Sequence, residues 1–450
     1  MKNIAITPPE WFARSSIYQI NPRTFSKEGT IAAVTKQLYN LAELGFGVMY
    51  LCPVFKEDDD EDRAFWSNRQ KKSQTNNPKN PYRMNDYFEI DCEYGTAEDL
   101  KEFVKESHRL GLKVILDLVY YHIGPNADIL KNHPEFVKQD ADGKPLCGEW
   151  LFPLLDYNCQ GLREYLWCNM VYYISVFDVD GFRCDVGHLV PLDFWVEGRR
   201  RIRVVKPDAV MLLEGISSGY LKTGFDATYC FDWHEKLYSI FTGDLSADKL
   251  RESYTDLAAN SPIGMTVMRD IDNHDTATDW PCRTEIAAGH DGMEQIEVIN
   301  YLIDGIPMVY CGNELADTAR HSMFANRFFM GDFEVSDRAL LNGEESIRRQ
   351  DIIKRLNLLK RESDILRYGD TVWLDNTAPE KVISFMRTYG DGKIVFIGNA
   401  KNEETVCRVD TDFGISDFKV MLTSRKKAEI SDDGKITLPP RGFAVLGFGG

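Results

Sequence analysis

The run Lys113-Val114-Ile115-Leu116-Asp117-Leu118-Val119-Tyr120-Tyr121-His122 restricts the folds open to this chain more than any other stretch. It is almost continuously apolar, which is the pattern of a strand buried on both faces, and such strands belong to parallel sheets covered by helices. The residues before it agree. Ile17-Tyr18-Gln19-Ile20 reads as a short strand ended by Asn21-Pro22, Ile31 to Leu44 carries apolar residues at helical spacing up to Gly45, and Val48 to Cys52 is a second strand stopped by Pro53. Strand, helix and strand in this order are the grammar of a βαβ unit. A helix from Thr96 to Leu110, opened by Thr96-x-x-Asp99 in the manner of a capping box and closed by Gly111, leads into the long apolar run.

The alternation continues through Val179–Asp185, Ala209–Glu214, Phe225–Cys230, Met265–Ile271 and Ile306–Cys311, which with the first three makes eight strands and predicts an α/β fold, a (β/α)8 TIM barrel. The rhythm breaks in two places. Lys56 to Asn80 is a polar loop in which Glu57 to Asp62 read as a solvated acidic surface and Trp66 as an aromatic available for binding. Ile123 to Gln160, with Pro125, Pro134, Pro145 and Pro153, is too long for an ordinary loop and too short to be stable alone, so it reads as a small unit inserted after strand three. From about Arg367 short alternating runs such as Val382–Met386, Ile394–Ile397 and Phe443–Leu446 predict an antiparallel β-sandwich domain. The expected partition is barrel 1–122, inserted domain 123–160, barrel 161–366 and C-terminal β domain 367–450.

With 53 Lys and Arg against 70 Asp and Glu, a net charge of −17, nucleic acid and anionic membrane are poor partners and a neutral substrate is expected. The first residues hold no apolar run of signal-peptide length and no later stretch reaches a membrane span, so the reading is cytoplasmic, with oligomeric state undetermined. Cys52, Cys184, Cys230 and Cys311 lie in or beside apolar runs, and no Cys-x-x-Cys pair is present, so buried reduced thiols are expected rather than disulfides.

Four strand ends carry polar residues foreign to a core: His122, Arg183 with Asp185, Glu214, and Asn273-His274-Asp275. Two-residue spacing on an extended strand puts Arg183 and Asp185 on one face. A carboxylate beside a fixed cation stays ionised and aimed, as a nucleophile must be, although an isolated pair of this kind also reads as a structural ion pair. In a barrel all four ends converge on a single mouth.

Asp117 to His122, Gly181-Phe-Arg-Cys-Asp185, Glu214 after its apolar strand, and Asn273-His274-Asp275 resemble the four signature regions of the α-amylase superfamily, glycoside hydrolase family 13. Minor signatures match in Gly45 to Pro53 and in Gly305 to Glu314, and the resemblance covers essentially the whole chain. It implies a retaining α-glycoside hydrolase acting on short α-glucans, α-1,4-linked before α-1,6-linked, with an oligosaccharide substrate as partner. Asp185 would be the nucleophile, Glu214 the general acid and then base, and Asp275 the third carboxylate; the first two carboxyl groups would lie roughly 5–5.5 Å apart. Glu214 would hold its proton near neutral pH. Arg183 would keep Asp185 ionised, His122 and His274 would bond sugar hydroxyls, and the Tyr82 ring would stack under the reacting sugar; Trp66, read from its loop alone, is a candidate sugar-stacking platform.

Three departures stand out. Tyr121 replaces the Asn that often binds a structural calcium, His188 and Leu189 replace a Lys-His pair, and Ile216 replaces an aromatic. No cofactor is expected, and the usual calcium ligand pattern is incomplete. Val186, directly after the nucleophile, also occurs in members that cut α-1,6 bonds. A transglycosylase or an α-1,6-glucosidase of the same family is the alternative. More remote are a non-catalytic amylase-like binding protein and a metal hydrolase using His122 and His274.

Overall fold

The computed structural model describes residues 3–73, 75–325 and 343–448. The remaining parts of the expected partition, including 326–342, lie outside the described residues. Eight parallel strands lie in the order Ala227–Thr228, Val210–Leu213, Gly181–Cys184, Lys113–Leu118, Val48–Leu51, Ile17–Ile20, Ile306–Tyr310 and Met268–Arg269. A parallel bridge between Thr228 and Val267 joins the two ends and closes the barrel. All eight expected strands are present, several shorter than the apolar runs that announced them, because the last residues of each run turn out into the mouth.

The barrel interior is filled by Ile17, Val48, Tyr50, Ile115, Val210, Leu212, Tyr229, Met268, Ile306 and Met308. A second and larger core lies between the sheet and its helices. Helix Ala97–Arg109 starts with the foreseen capping box, Thr96 and Asp99 each accepting from the other's backbone N–H. The pattern from Ile31 to Leu44 forms two short helices, Ile31–Thr35 and Leu38–Glu43, rather than one.

At the base of the barrel Asp180 ties the fourth strand down. It accepts from Val114 N at 2.9 Å, His108 Nε2 at 2.7 Å, Lys113 Nζ at 2.9 Å and Lys206 Nζ at 3.0 Å. Burial opposes its charge, but these donors prevail and hold its carboxyl down at about 2.

The polar loop is more ordered than its composition suggests. Phe55–Glu57 pairs antiparallel with Met84–Ile90, and Asn68–Lys72 forms a short helix. The solvated acidic surface is corrected in part: Asp59, Glu61 and Asp62 are exposed, but Glu57 and Asp58 are buried. Both Glu57 oxygens take Arg23 Nη2 at 2.8 Å. Asp58 accepts from Asn126 N at 2.6 Å and Asp60 N at 2.9 Å. The start of the run thus turns inward beside strand Phe55–Glu57, and its end meets solvent.

After strand three the chain forms a ribbon of isolated antiparallel bridges, His122 to Leu154, Val137 to Leu155, Gln139 to Pro145 and Cys147 to Pro153. It returns to the barrel in helix Gln160–Phe177. At the C-terminal end a five-stranded antiparallel sheet and the three-stranded sheet of Thr405–Cys407, Ile436–Leu438 and Glu429–Ile430 enclose a core of Val382, Val395, Ile397, Cys407, Ile436, Leu438 and Leu446. The outer face of the larger sheet, through Phe385, Phe396 and Phe443, continues the barrel's helical layer. All ten cysteines are free; Cys92, Cys147 and Cys168 are exposed, so the expectation of buried thiols fails for these three.

Candidate active site

Parallel pairing extends one residue beyond the strands at the mouth. Asp185 N–H donates to Leu118 O at 2.9 Å and Glu214 N–H to Cys184 O at 3.2 Å, so both carboxylates spring from backbone still fixed by the neighbouring strand. Between them lies Arg183, whose side chain is fully buried. Its Nη1 donates to Asp117 Oδ1 at 2.7 Å and to Asp185 Oδ1 at 3.0 Å, and its Nη2 lies 2.9 Å from Glu214 Oε2. Burial, and then the Glu214 charge, push the Asp185 carboxyl well above its ordinary value against the pull of Arg183.

Val186 follows with a φ of 36°, the left-handed region that a β-branched residue rarely enters. That turn aims its N–H at Glu214 Oε2, 2.5 Å away. The opposite wall needs a glycine: at Gly215, φ 118°, a Cβ would meet His188 Nδ1 at 2.2 Å, and that same nitrogen lies 3.0 Å from Glu214 O.

Across the mouth a hydrogen-bonded chain runs from Gln19 to Asp117. Gln19 Nε2 donates to His274 Nδ1 at 2.9 Å, which leaves the ring proton on His274 Nε2 to meet the Tyr82 hydroxyl at 2.7 Å. Tyr82 in turn donates to Asp117 Oδ2 at 2.9 Å, where Tyr50 OH also donates at 2.7 Å. The Tyr82 and His274 rings stack with centroids 5.2 Å apart. Burial pulls the His274 ring down in pKa, with Asp275 opposing.

Asp275 Oδ1 lies 2.7 Å from Arg69 Nη2 and Oδ2 lies 3.3 Å from His274 Nε2. Burial works against its charge, but His274, Arg69 and Arg183 outweigh burial and hold it well below the usual carboxylate range. His122 donates from Nε2 to Tyr82 O at 2.8 Å, and its buried Nδ1 has no partner among the described residues. Burial lowers this ring to about 4, so near neutral pH it offers a bare acceptor to the pocket. Asp185, Glu214, Asp275, Tyr82, His122 and His274 line one pocket, together with Arg69, Trp150, Phe152 and Phe324.

The family model for the alpha amylase catalytic domain matches residues 8–142. A cyclomaltodextrinase of Geobacillus thermopakistaniensis (strain MAS1) is 24% identical over 97% of this chain and 77% of its own length. These matches liken the chain to the α-amylase superfamily. An intracellular maltogenic amylase of Bacillus subtilis (strain 168) is also 24% identical, over 88% of this chain and 70% of its own. In fold, the chain is similar to a noncanonic maltogenic α-amylase, AmyB, of Thermotoga neapolitana, with a TM-score of 0.80 and 24% identity, covering 97% of this chain and 99% of that one.

The expectation that Trp66 offers a sugar platform is not met. It is 4% exposed, its indole N–H donates to Asp60 O at 2.9 Å, and the Arg63 guanidinium lies over its ring at 4.7 Å, so no ring face is left for a sugar. Its neighbours Ser67 and Arg69 reach the pocket instead. Sequence reasoning did not single out Asp117, Tyr50, Gln19, Arg69 or Trp150. Asp117 and Gln19 carried a signal, as polar residues inside otherwise apolar strands. Arg69 and Trp150 carried none, since both stand on irregular segments whose path only the tertiary fold sets. At the usual calcium position Tyr121 presents a ring packed edge-on against Trp150, centroids 6.1 Å apart. Among the described residues no group of three or more His, Cys, Asp and Glu could hold a metal ion.

Proposed function

We propose that this chain is a retaining α-glycoside hydrolase of short α-glucans, maltooligosaccharides or related α-glucosides. The observation that carries the reading is Arg183 held between Asp185 and Glu214 with Asp117 behind it. Asp185 attacks the anomeric carbon while Glu214 protonates the leaving oxygen, and water then reverses the sequence with Glu214 as base. The first step needs Asp185 ionised and a proton on Glu214. Asp275, held ionised by Arg69, opposes the positive charge that develops on the sugar ring. His122 Nδ1 accepts a sugar hydroxyl, and the stacked Tyr82 and His274 form the floor of the reacting subsite. No cofactor enters this chemistry.

The names of relatives such as cyclomaltodextrinase and intracellular maltogenic amylase support small α-1,4-glucans, and among the described residues no helix is long and apolar enough to cross a membrane. We read the chain as cytoplasmic on that basis. A second reading, transfer to another sugar in place of water, uses the same residues and differs only in what reaches the covalent intermediate.

The test is trapping and loss. Incubation with a 5-fluoro-α-glucosyl fluoride should add one glycosyl unit to Asp185, seen by peptide mass spectrometry, and Asp185→Asn should cut maltotriose hydrolysis by at least about a thousandfold. An Asp185→Asn protein as active as the wild type would overturn the assignment.

A further inference from the structure

Trp150 sits at the tip of the ribbon that rises from strand three. Gly148 N–H donates to Phe152 O and Leu151 N–H to Gly148 O, both at 2.9 Å, closing a tight turn in which Leu151 takes a φ of 68°. A Cβ on Gly148 would lie 2.8 Å from Leu154 Cδ2. The backbone therefore accepts a costly conformation at Leu151 to place its neighbour. The half-buried Trp150 ring leans on His122, centroids 5.4 Å apart at 51°, and stands edge-on to Tyr121. It lines the pocket that holds Asp185 and Glu214. Trp66, Trp167, Trp195 and Trp233 each spend their indole N–H on a protein oxygen. Trp150 has no such bond among the described residues.

Its side of the mouth follows from the strand order. The ribbon leaves strand Lys113–Leu118, which is followed in the sheet by the strand that ends at Asp185 and then by the strand that ends at Glu214. Asp275 and His274 follow strand Met268–Arg269, on the opposite arc. Glu214 must face the leaving oxygen, so the arc shared by Trp150, Val186 and Glu214 receives the leaving portion of the substrate.

We propose that Trp150 is the aromatic platform for the sugar next to the scissile bond on the leaving-group side, and so also for an incoming sugar acceptor. The apolar C–H face of a pyranose packs on the indole while the free N–H meets a hydroxyl. A sugar seated there competes with water for the glycosyl-enzyme, so Trp150 raises the share of transfer over hydrolysis.

This inference rests on the glycosidase reading above, and α-glucosyl fluoride separates the two, because fluoride departs without using a sugar subsite. In Trp150→Ala, kcat/KM for maltotriose should fall about tenfold further than kcat/KM for α-glucosyl fluoride hydrolysis. The fraction of products longer than maltotriose at high maltotriose should fall with it, and Trp150→Phe should restore most of both. Equal loss on fluoride and maltotriose, or loss on neither, would overturn the role of Trp150. Wild-type protein inactive on both substrates would overturn the glycosidase reading itself.

Discussion

Arg183 shows how one residue sets the charge state of a site. A guanidinium buried among Asp117, Asp185 and Glu214 neutralises part of a cluster that could not otherwise be desolvated. Replacing it by Lys keeps the charge but loses the fork that reaches three carboxylates at once. Arg183→Lys should lower kcat by about a hundredfold or more and shift the acidic limb of the pH-rate profile upward, because Asp185 then stays protonated to higher pH. An unchanged limb in steady-state assays from pH 4 to 8 would contradict this role. His122 makes a separate prediction. Its pKa falls from 6.5 to about 4 on burial, so the unfolded chain takes up a proton between those values that the native site refuses. Stability is therefore lost as pH falls from 6.5 toward 4, by about 2–3 kcal/mol from this group. Urea unfolding at pH 7 and pH 4.5 should show a smaller drop for His122→Gln than for the wild type.

At the scale of elements, what matters is how strand ends are held. The fourth strand, Gly181–Cys184, carries Arg183 and leads into Asp185, and Asp180 fastens its opposite end to strand three and to Lys206. Asp180→Ala removes the acceptor for four buried or half-buried donors and should cost about 3 kcal/mol in denaturant unfolding, with kcat of the remaining folded enzyme nearly unchanged. Because its carboxyl is depressed to about 2 in the folded state, the Asp180 contribution is present above the ordinary Asp value and fades as pH falls toward 2. The ribbon after strand three depends on single turns rather than on a ladder, which is why one left-handed residue, Leu151, can decide where an aromatic ring stands.

For the whole molecule, the C-terminal sheet and the barrel form one packed body. Gln295, in helix His290–Leu302, donates to Arg441 O at 3.0 Å and Asn399 O at 3.2 Å, and Arg387 Nη1 donates to Leu302 O at 3.0 Å. Removing the Gln295 donor orphans buried carbonyls, so Gln295→Ala should cost about 1–3 kcal/mol and lower a single calorimetric transition. A separate second transition for the sheet would show that the two parts unfold independently.

By itself the sequence determined the eight strands, their parallel order and the convergence of His122, Asp185, Glu214 and Asp275 on one mouth. Apolar runs broken by turn residues are a local record of burial, and position at a strand end fixes position in a barrel. Only the tertiary structure decided that Glu57 and Asp58 are buried while Asp59 is not, that Trp66 packs under Arg63, and that Trp150 stands over His122. Those residues lie on irregular segments, where no periodicity ties a side chain to a face and its neighbours come from distant parts of the chain.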